Sequence, residues 1–198
     1  MSTDIQSPST LERPRRGSAT RTNLRWPGLI ILVLILGGIW IAVNRTPAGS
    51  QTTQAGLAPA PVKGHPAPEI SLVSTTGQPM KLSDFRGKPV VINFWATWCA
   101  PCRIETPELQ DVYRERGDEV IIFSVNATQQ DQGDIEAFVQ EFGLTFPVAL
   151  DAEGKAFKDY NVLGLPTTVF VTKDGIINEV FTGPVNKAYI ESKIPELL

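Results

Sequence analysis

Two cysteines and one histidine are all the soft metal ligands of these types that 198 residues provide. A structural zinc needs four ligands; Cys99, Cys102 and His65 make three, and His65 lies far upstream in the proline-rich stretch GHPAPE, where an exposed loop residue is expected. The carboxylates show no spacing that would complete such a site, so no metal is expected. Charge of one sign is missing too: 18 Lys and Arg stand against 21 Asp and Glu, a net charge of −3. The basic residues form no stripe along the part expected to fold, which argues against nucleic acid as a partner. Internal repeats are absent. The 42% hydrophobic content is enough for an ordinary core in one or two domains.

Apolar residues are scarce in residues 1–25, where Arg13, Arg15, Arg16, Arg21 and Arg25 are scattered among Ser, Thr and Pro. So little surface can be buried there that a disordered basic tail is expected. Residues 26–43, WPGLIILVLILGGIWIAV, lack any charge. As a helix they would reach about 27 Å, close to the hydrocarbon thickness of a bilayer, and a transmembrane helix is expected. A cleaved signal peptide has a shorter apolar region, about 7–15 residues, and a small-x-small cleavage site. Here the run leads into Asn44 and Arg45 without such a site, and the Arg15–Arg16 pair lacks the apolar continuation of a twin-arginine signal. Arginines cluster before the span and only Arg45 follows it closely, so the N-terminus is expected in the cytoplasm. The remainder is expected outside, in the periplasm or at the cell exterior, on a single-pass protein of the cytoplasmic membrane.

Residues 44–63, NRTPAGSQTTQAGLAPAPVK, have the composition of an extended, flexible tether, and the folded domain is placed at 64–198. Within it, KPVVINFWAT is a short apolar run suited to a strand buried on both faces, with Phe94 and Trp95 in the core. CAPCRIETPELQDVYRERG follows as a helix with Pro101 in its first turn, where a missing N–H costs little. Ile104, Leu109 and Val112 are expected to face inward, Pro107 to kink the helix and Gly117 to cap it. EVIIFSVNA reads as a second buried strand. DIEAFVQEFG spaces Ile135, Phe138, Val139 and Phe142 as an amphipathic helix ended by Gly143. FPVALD is a short strand, TTVFVTKDGIINEVF a hairpin turning at Lys173-Asp174-Gly175, and NKAYIESKIPELL a closing helix interrupted by Pro195. The fold class is α/β: a mixed central sheet flanked by helices, its first two strands parallel. The cysteines then lie where a strand's carboxyl end meets a helix N-terminus, the edge at which such sheets place their sites.

A CxxC disulfide closes almost the smallest loop available, so it constrains little of the unfolded chain, and a structural staple is a poor use of the pair. Redox chemistry suits the spacing better. A helix N-terminus stabilises the Cys99 thiolate as attacking group, and Cys102, one turn further in and more buried, is placed to resolve a mixed disulfide. The strand before and the helix after strengthen the motif.

FWATWCAPC closely resembles the active-site segment of the thioredoxin superfamily. The longer stretch GHPAPEISLVSTTGQPMKLSDFRGKPVVINFWATWCAPCRIETPEL is similar to the membrane-anchored ResA/TlpA-like branch, related to AhpC/TSA and Redoxin proteins. Ile70 stands where that branch has an aromatic residue, and GLPTTVFVTKDG matches a second landmark of the superfamily. The resemblance covers about residues 64–198 and implies a thioredoxin-like fold. It implies Cys99 as nucleophile, Cys102 as resolving thiol, and Pro166 as a cis-proline that exposes the Leu165 backbone for strand-like pairing with a client. Asn93 replaces the buried acidic residue of thioredoxins, so that proton-handling role is absent or carried elsewhere. Glu105 matches a glutamate of ResA-like proteins; it is either a proton relay for Cys102 or a first-turn carboxylate complementing the helix dipole. Trp98 is expected beside an exposed Cys99 sulfur as a contact surface for clients, with Pro101 on the same side. The neutral Ala100-Pro101 pair between the cysteines supplies no charge to tune the thiolate.

The resemblance therefore implies an extracytoplasmic protein-disulfide oxidoreductase, a reductase of clients such as apocytochrome c in cytochrome c maturation. It would need no bound cofactor and would draw electrons from a transmembrane thiol carrier of the CcdA/DsbD type. The alternative is a Sco-like copper-delivery protein, but that group uses CxxxC with a distant histidine, and here no histidine follows Cys102. Peroxiredoxin chemistry lacks its PxxxTxxC nucleophile pattern.

Overall fold

The computed structural model describes residue 31 and residues 34–36, 56–127, 129–131 and 133–198. The chain divides into two units, 1–51 and 52–198. Of the first, Ile31 and residues 34–36 are helical and exposed. The expected tail at 1–25, most of the expected span at 26–43 and most of the tether at 44–63 lie outside the described residues. Among the described residues no helix is long and apolar enough to cross a membrane.

The second unit runs β1 (Ser71–Ser74), β2 (Pro79–Lys81), a short 3-10 helix (Leu82–Phe85), β3 (Val90–Trp95), α1 (Ala100–Arg116) and β4 (Ile121–Asn126). It continues α2 (Ile135–Glu141), β5 (Val148–Leu150), α3 (Lys155–Asp159), β6 (Thr167–Val171), β7 (Ile177–Thr182) and α4 (Lys187–Leu197). The strands form one sheet in the order β2-β1-β5-β4-β3-β6-β7. β3, β4 and β5 are parallel, while β6 pairs antiparallel with β3 and the other pairings are antiparallel too. This is the expected mixed sheet, and the fold is thioredoxin-like.

VVINFW lacks alternation because β3 is central and all six of its residues are buried. Its side chains divide between the two faces of the sheet. Val91 and Trp95 pack with Cys99, Cys102, Leu109 and the α4 residues Ile190 and Ile194. Val90, Ile92 and Phe94 pack on the other side with Met80, Ala156 and Tyr160. Asn93 shares the parity of Val91 and Trp95, which turns it toward α1.

Several expectations need correction. Ile104 does not face inward: it is 71% exposed. The buried stripe of α1 runs through Cys102, Glu105, Thr106, Leu109 and Val112, and position 104 falls off that stripe while a carboxylate occupies it. α4 runs through Pro195 without the expected interruption, and Pro107 lies inside α1. The β1–β2 hairpin and α3 had no forecast; they are three to five residues long and too short to carry a period. Residues before Gly64 already take part in the unit: Ala60 N–H donates to Pro66 O, and His65 Nδ1 lies 3.1 Å from Ala58 O. His65 is half-buried, not a free loop residue. Its carbonyl accepts from Ile177 N–H, and Val171, the last residue of β6 before that turn, pairs with Val90 at the start of β3. His65 therefore sits at the end of the sheet opposite the cysteines.

Candidate active site

The strand β3 ends at Trp95, and residues 96–99 form the loop into α1. Asp131, on the segment after β4, holds this loop from beneath. One carboxylate oxygen accepts Thr97 N–H at 2.6 Å and Asn126 Nδ2 at 2.8 Å; the other accepts the Thr97 hydroxyl and Gly133 N–H. Burial works against this charge, but the hydrogen bonds from Thr97, Asn126 and Gly133 outweigh it and hold the carboxyl below its ordinary value. Gly133 is required by the close approach: a Cβ there would stand 1.9 Å from Thr97 Oγ1.

Cys99 is the N-cap of α1, in extended conformation, with its Sγ accepting Cys102 N–H at 3.2 Å. Cys99 and Cys102 are joined in a disulfide with their Cα atoms 5.2 Å apart. Cys102 is the more buried, as expected, at 0% exposure, but Cys99 at 3% is hardly the exposed sulfur that was forecast. The reason lies in the cap: a sulfur that accepts a first-turn N–H and bonds to Cys102 is drawn against the core, where both cysteines pack beside Trp95 and Leu109.

Glu105 lies one helical turn beyond Cys102 on the same stripe. It is buried and outside the first turn, which holds no acidic residue, so the exposed helix-dipole role does not apply. Its Oε1 accepts Asn93 Nδ2 at 2.7 Å and its Oε2 accepts Val185 N–H at 3.0 Å. Burial raises its pKa from 4.5 to about 7, and the two hydrogen bonds only partly offset this. Asn93 also donates to Thr168 Oγ1 on β6. The amide thus does not replace an acid but orients one: the acidic group has moved from the strand to the helix. A carboxyl poised near neutrality one turn from a thiol can take or return a proton at working pH.

Trp98 is 60% exposed. With Leu165, which packs against the cluster containing both cysteines, it lines a cavity of about 420 Å³. The Leu165–Pro166 peptide bond is cis, the geometry the resemblance implied, and Pro166 is buried with its carbonyl accepting Gly183 N–H. Pro101 is half-buried in the first turn of α1 and is not part of this cavity wall. The structure thus gathers Cys99, Cys102 and Glu105 on one helix end, with Trp98 and Leu165 on one adjoining wall. Asp131, Asn126 and the Val185 N–H had no forecast. Their partners are 34, 5 and 80 residues away along the chain, with no local pattern to announce them.

The profile of the AhpC/TSA family matches residues 63–180. A thioredoxin-like protein from Bacillus subtilis, YneN, is 31% identical over 176 residues, covering 86% of this chain and 96% of the relative. The thiol-disulfide oxidoreductase ResA of Geobacillus kaustophilus is 37% identical over 137 residues, covering 68% and 77%. Among solved structures, that of StoA from Bacillus subtilis superposes with a TM-score of 0.57 at 28% identity, covering 65% of this chain and 97% of StoA.

Proposed function

The chain belongs to the AhpC/TSA family as a thiol–disulfide oxidoreductase of the ResA/StoA type, and on that premise we propose that it reduces disulfides in client proteins outside the cytoplasm. The observation that carries the reading is the disulfide at the cap of α1 with the buried, hydrogen-bonded Glu105 one turn behind it. In the reduced protein the Cys99 thiolate, favoured by the helix N-terminus, attacks one sulfur of the client disulfide. A Cys99–client bond forms and a client thiolate leaves. Glu105 takes the proton from Cys102, whose thiolate attacks Cys99 Sγ, releasing the second client thiolate and closing the Cys99–Cys102 bond. Two electrons have passed to the client, and two protons end on its thiols.

Each cycle leaves the pair oxidised, so a second dithiol must reduce it. The reading assigns that to a transmembrane thiol carrier of the CcdA/DsbD kind, with apocytochrome c as the client class. Residues 26–43 anchor the chain, N-terminus inside, and the tether raises the local concentration of the domain at that carrier. Its support is the uncharged run at 26–43 with arginines before it.

The client is tested with Cys102→Ala, which stalls the reaction at the mixed disulfide. Native membranes are expected to yield a protein linked through Cys99 and released by dithiothreitol. Recovery of no thiol-dependent partner would count against the reading. The anchor is tested separately: protease added to intact spheroplasts is expected to digest the domain, and its survival would reverse the assigned orientation.

A further inference from the structure

Among the described residues of the second unit, the three most exposed large apolar side chains are Leu163 at 89%, Ile104 and Trp98. Trp98 adjoins Cys99, Ile104 follows Cys102 by two residues, and Leu163 shares the cavity wall with Trp98. Ile104 is not part of that wall. A single exposed isoleucine needs no explanation, but a continuous apolar face beside a reactive sulfur does.

Ile104 belongs to such a face. By helical spacing Ala100, Ile104 and Pro107 fall on the side of α1 opposite its buried stripe, and all three are exposed. The same side continues with Asp111, Arg114 and Glu115, so it is apolar only in its first two turns, next to Cys99. The charged side chains that border it have partners elsewhere. The Arg103 guanidinium lies 5.3 and 5.0 Å from the ring centres of Phe138 and Phe142 and pairs with Glu141 on α2. The Glu108 carboxylate accepts Lys187 N–H at 2.9 Å, at the start of α4. Ala100, Ile104 and Pro107 themselves offer neither charge nor a hydrogen-bonding side chain.

The position of the face, continuous with the exchange site, says what covers it. Cys99 bonds to the client's sulfur during exchange, so the client chain around that sulfur lies against the N-terminus of α1. Ile104 stands five residues beyond Cys99, about 7.5 Å of helix rise, which two or three residues of extended chain can span. An apolar side chain arriving there loses contact with water without leaving a polar group unpaired, whereas a polar or charged one does not.

We propose that the Ala100–Ile104–Pro107 face is a docking surface for an apolar side chain of the client, two or three residues from its disulfide cysteine. The inference rests on the oxidoreductase reading and adds to it which clients are preferred.

The test uses the reduced full chain and short peptides closed by one disulfide, identical except for Leu, Ser or Glu at each of the positions flanking the cysteines. Single turnovers are followed by acid quench and mass spectrometry. At one or more positions the Leu peptide is expected to be reduced faster than its Ser counterpart by about tenfold, the scale of burying most of one aliphatic side chain. Ile104→Ser is expected to bring that ratio close to one, and Ile104→Leu to keep it. Equal Leu and Ser rates at every position overturn the docking surface, and so does a ratio that survives Ile104→Ser. A Glu peptide faster than the Leu peptide overturns the apolar assignment. A wild-type dimer that Ile104→Ser splits, seen by sedimentation, gives the face to a second copy of the chain and overturns the client assignment. The wild-type ratio decides even if a variant fails to fold. Hydroxyethyl disulfide, too small to reach Ile104 from Cys99, separates the two readings: a wild-type protein inert toward it sinks the oxidoreductase reading itself.

Discussion

Glu105 carries the sharpest consequences of any single residue. Its folded pKa is raised, so the fold favours the protonated carboxyl. The stabilisation from this preference is complete below the ordinary value of 4.5 and is lost as pH rises through about 7. The shift corresponds to about 3 kcal/mol between the two ends of that window. Urea denaturation of the oxidised protein at pH 5 and pH 8 checks it. Glu105→Gln is expected to sit near wild type at the lower pH and to gain on it by about 2–3 kcal/mol at the higher one. A difference that does not change with pH contradicts the shift. The same variant is expected to slow resolution of the mixed disulfide near neutrality, read as persistence of the intermediate by mass spectrometry. Asn93 and Glu105 were both legible as departures from the thioredoxin pattern, but the 2.7 Å bond between them was not. Nor was the Val185 N–H, a backbone group 80 residues away that no side-chain pattern can announce.

At the level of elements, the loop into α1 is fixed by another piece of chain, not by its own sequence. Asp131 binds both the amide and the hydroxyl of Thr97, and Gly133 lets the two segments touch. Gly133→Ala would push a methyl group to 1.9 Å from Thr97 Oγ1, so the segments must part. A loss of about 1–3 kcal/mol is expected from such overpacking, measured by denaturant midpoint, together with slower exchange because Trp98 and Cys99 follow directly. An unchanged midpoint and rate would show that the contact does not position the loop. The long elements were legible: β3 and β4 by unbroken burial, α1 by its caps, α2 by its period. Ile104 is apolar yet exposed, because the place on the stripe belongs to Glu105, whose burial is satisfied by hydrogen bonds. The β1–β2 hairpin and α3 escaped because three to five residues carry no period. α3 nevertheless supplies Phe157 and Lys158 to the cavity.

Over the molecule as a whole, the fold puts its chemistry at one end of the sheet. Cys99, Glu105, Trp98 and Leu165 gather where β3 ends, while His65 is fixed at the other end by the turn between β6 and β7. A copper site joining His65 to the cysteines would have to span the length of β3, some six residues or about 20 Å. The cavity is assembled from Trp98, from Ala127, Gln129 and Gln130, and from residues of the stretches 151–158 and 161–165, which lie far apart along the chain. That is why the sequence located the redox pair but not the pocket beside it. The central claim is that Cys99 attacks and Cys102 resolves in a protein that passes electrons to other proteins' disulfides. Insulin reduction by dithiothreitol tests it most directly, followed as precipitation of the freed chain with the wild type, Cys99→Ala and Cys102→Ala. The wild type is expected to accelerate it, Cys99→Ala to abolish the acceleration, and Cys102→Ala to accumulate insulin linked through Cys99. Full acceleration by Cys99→Ala, or no acceleration by the wild type, would contradict the account.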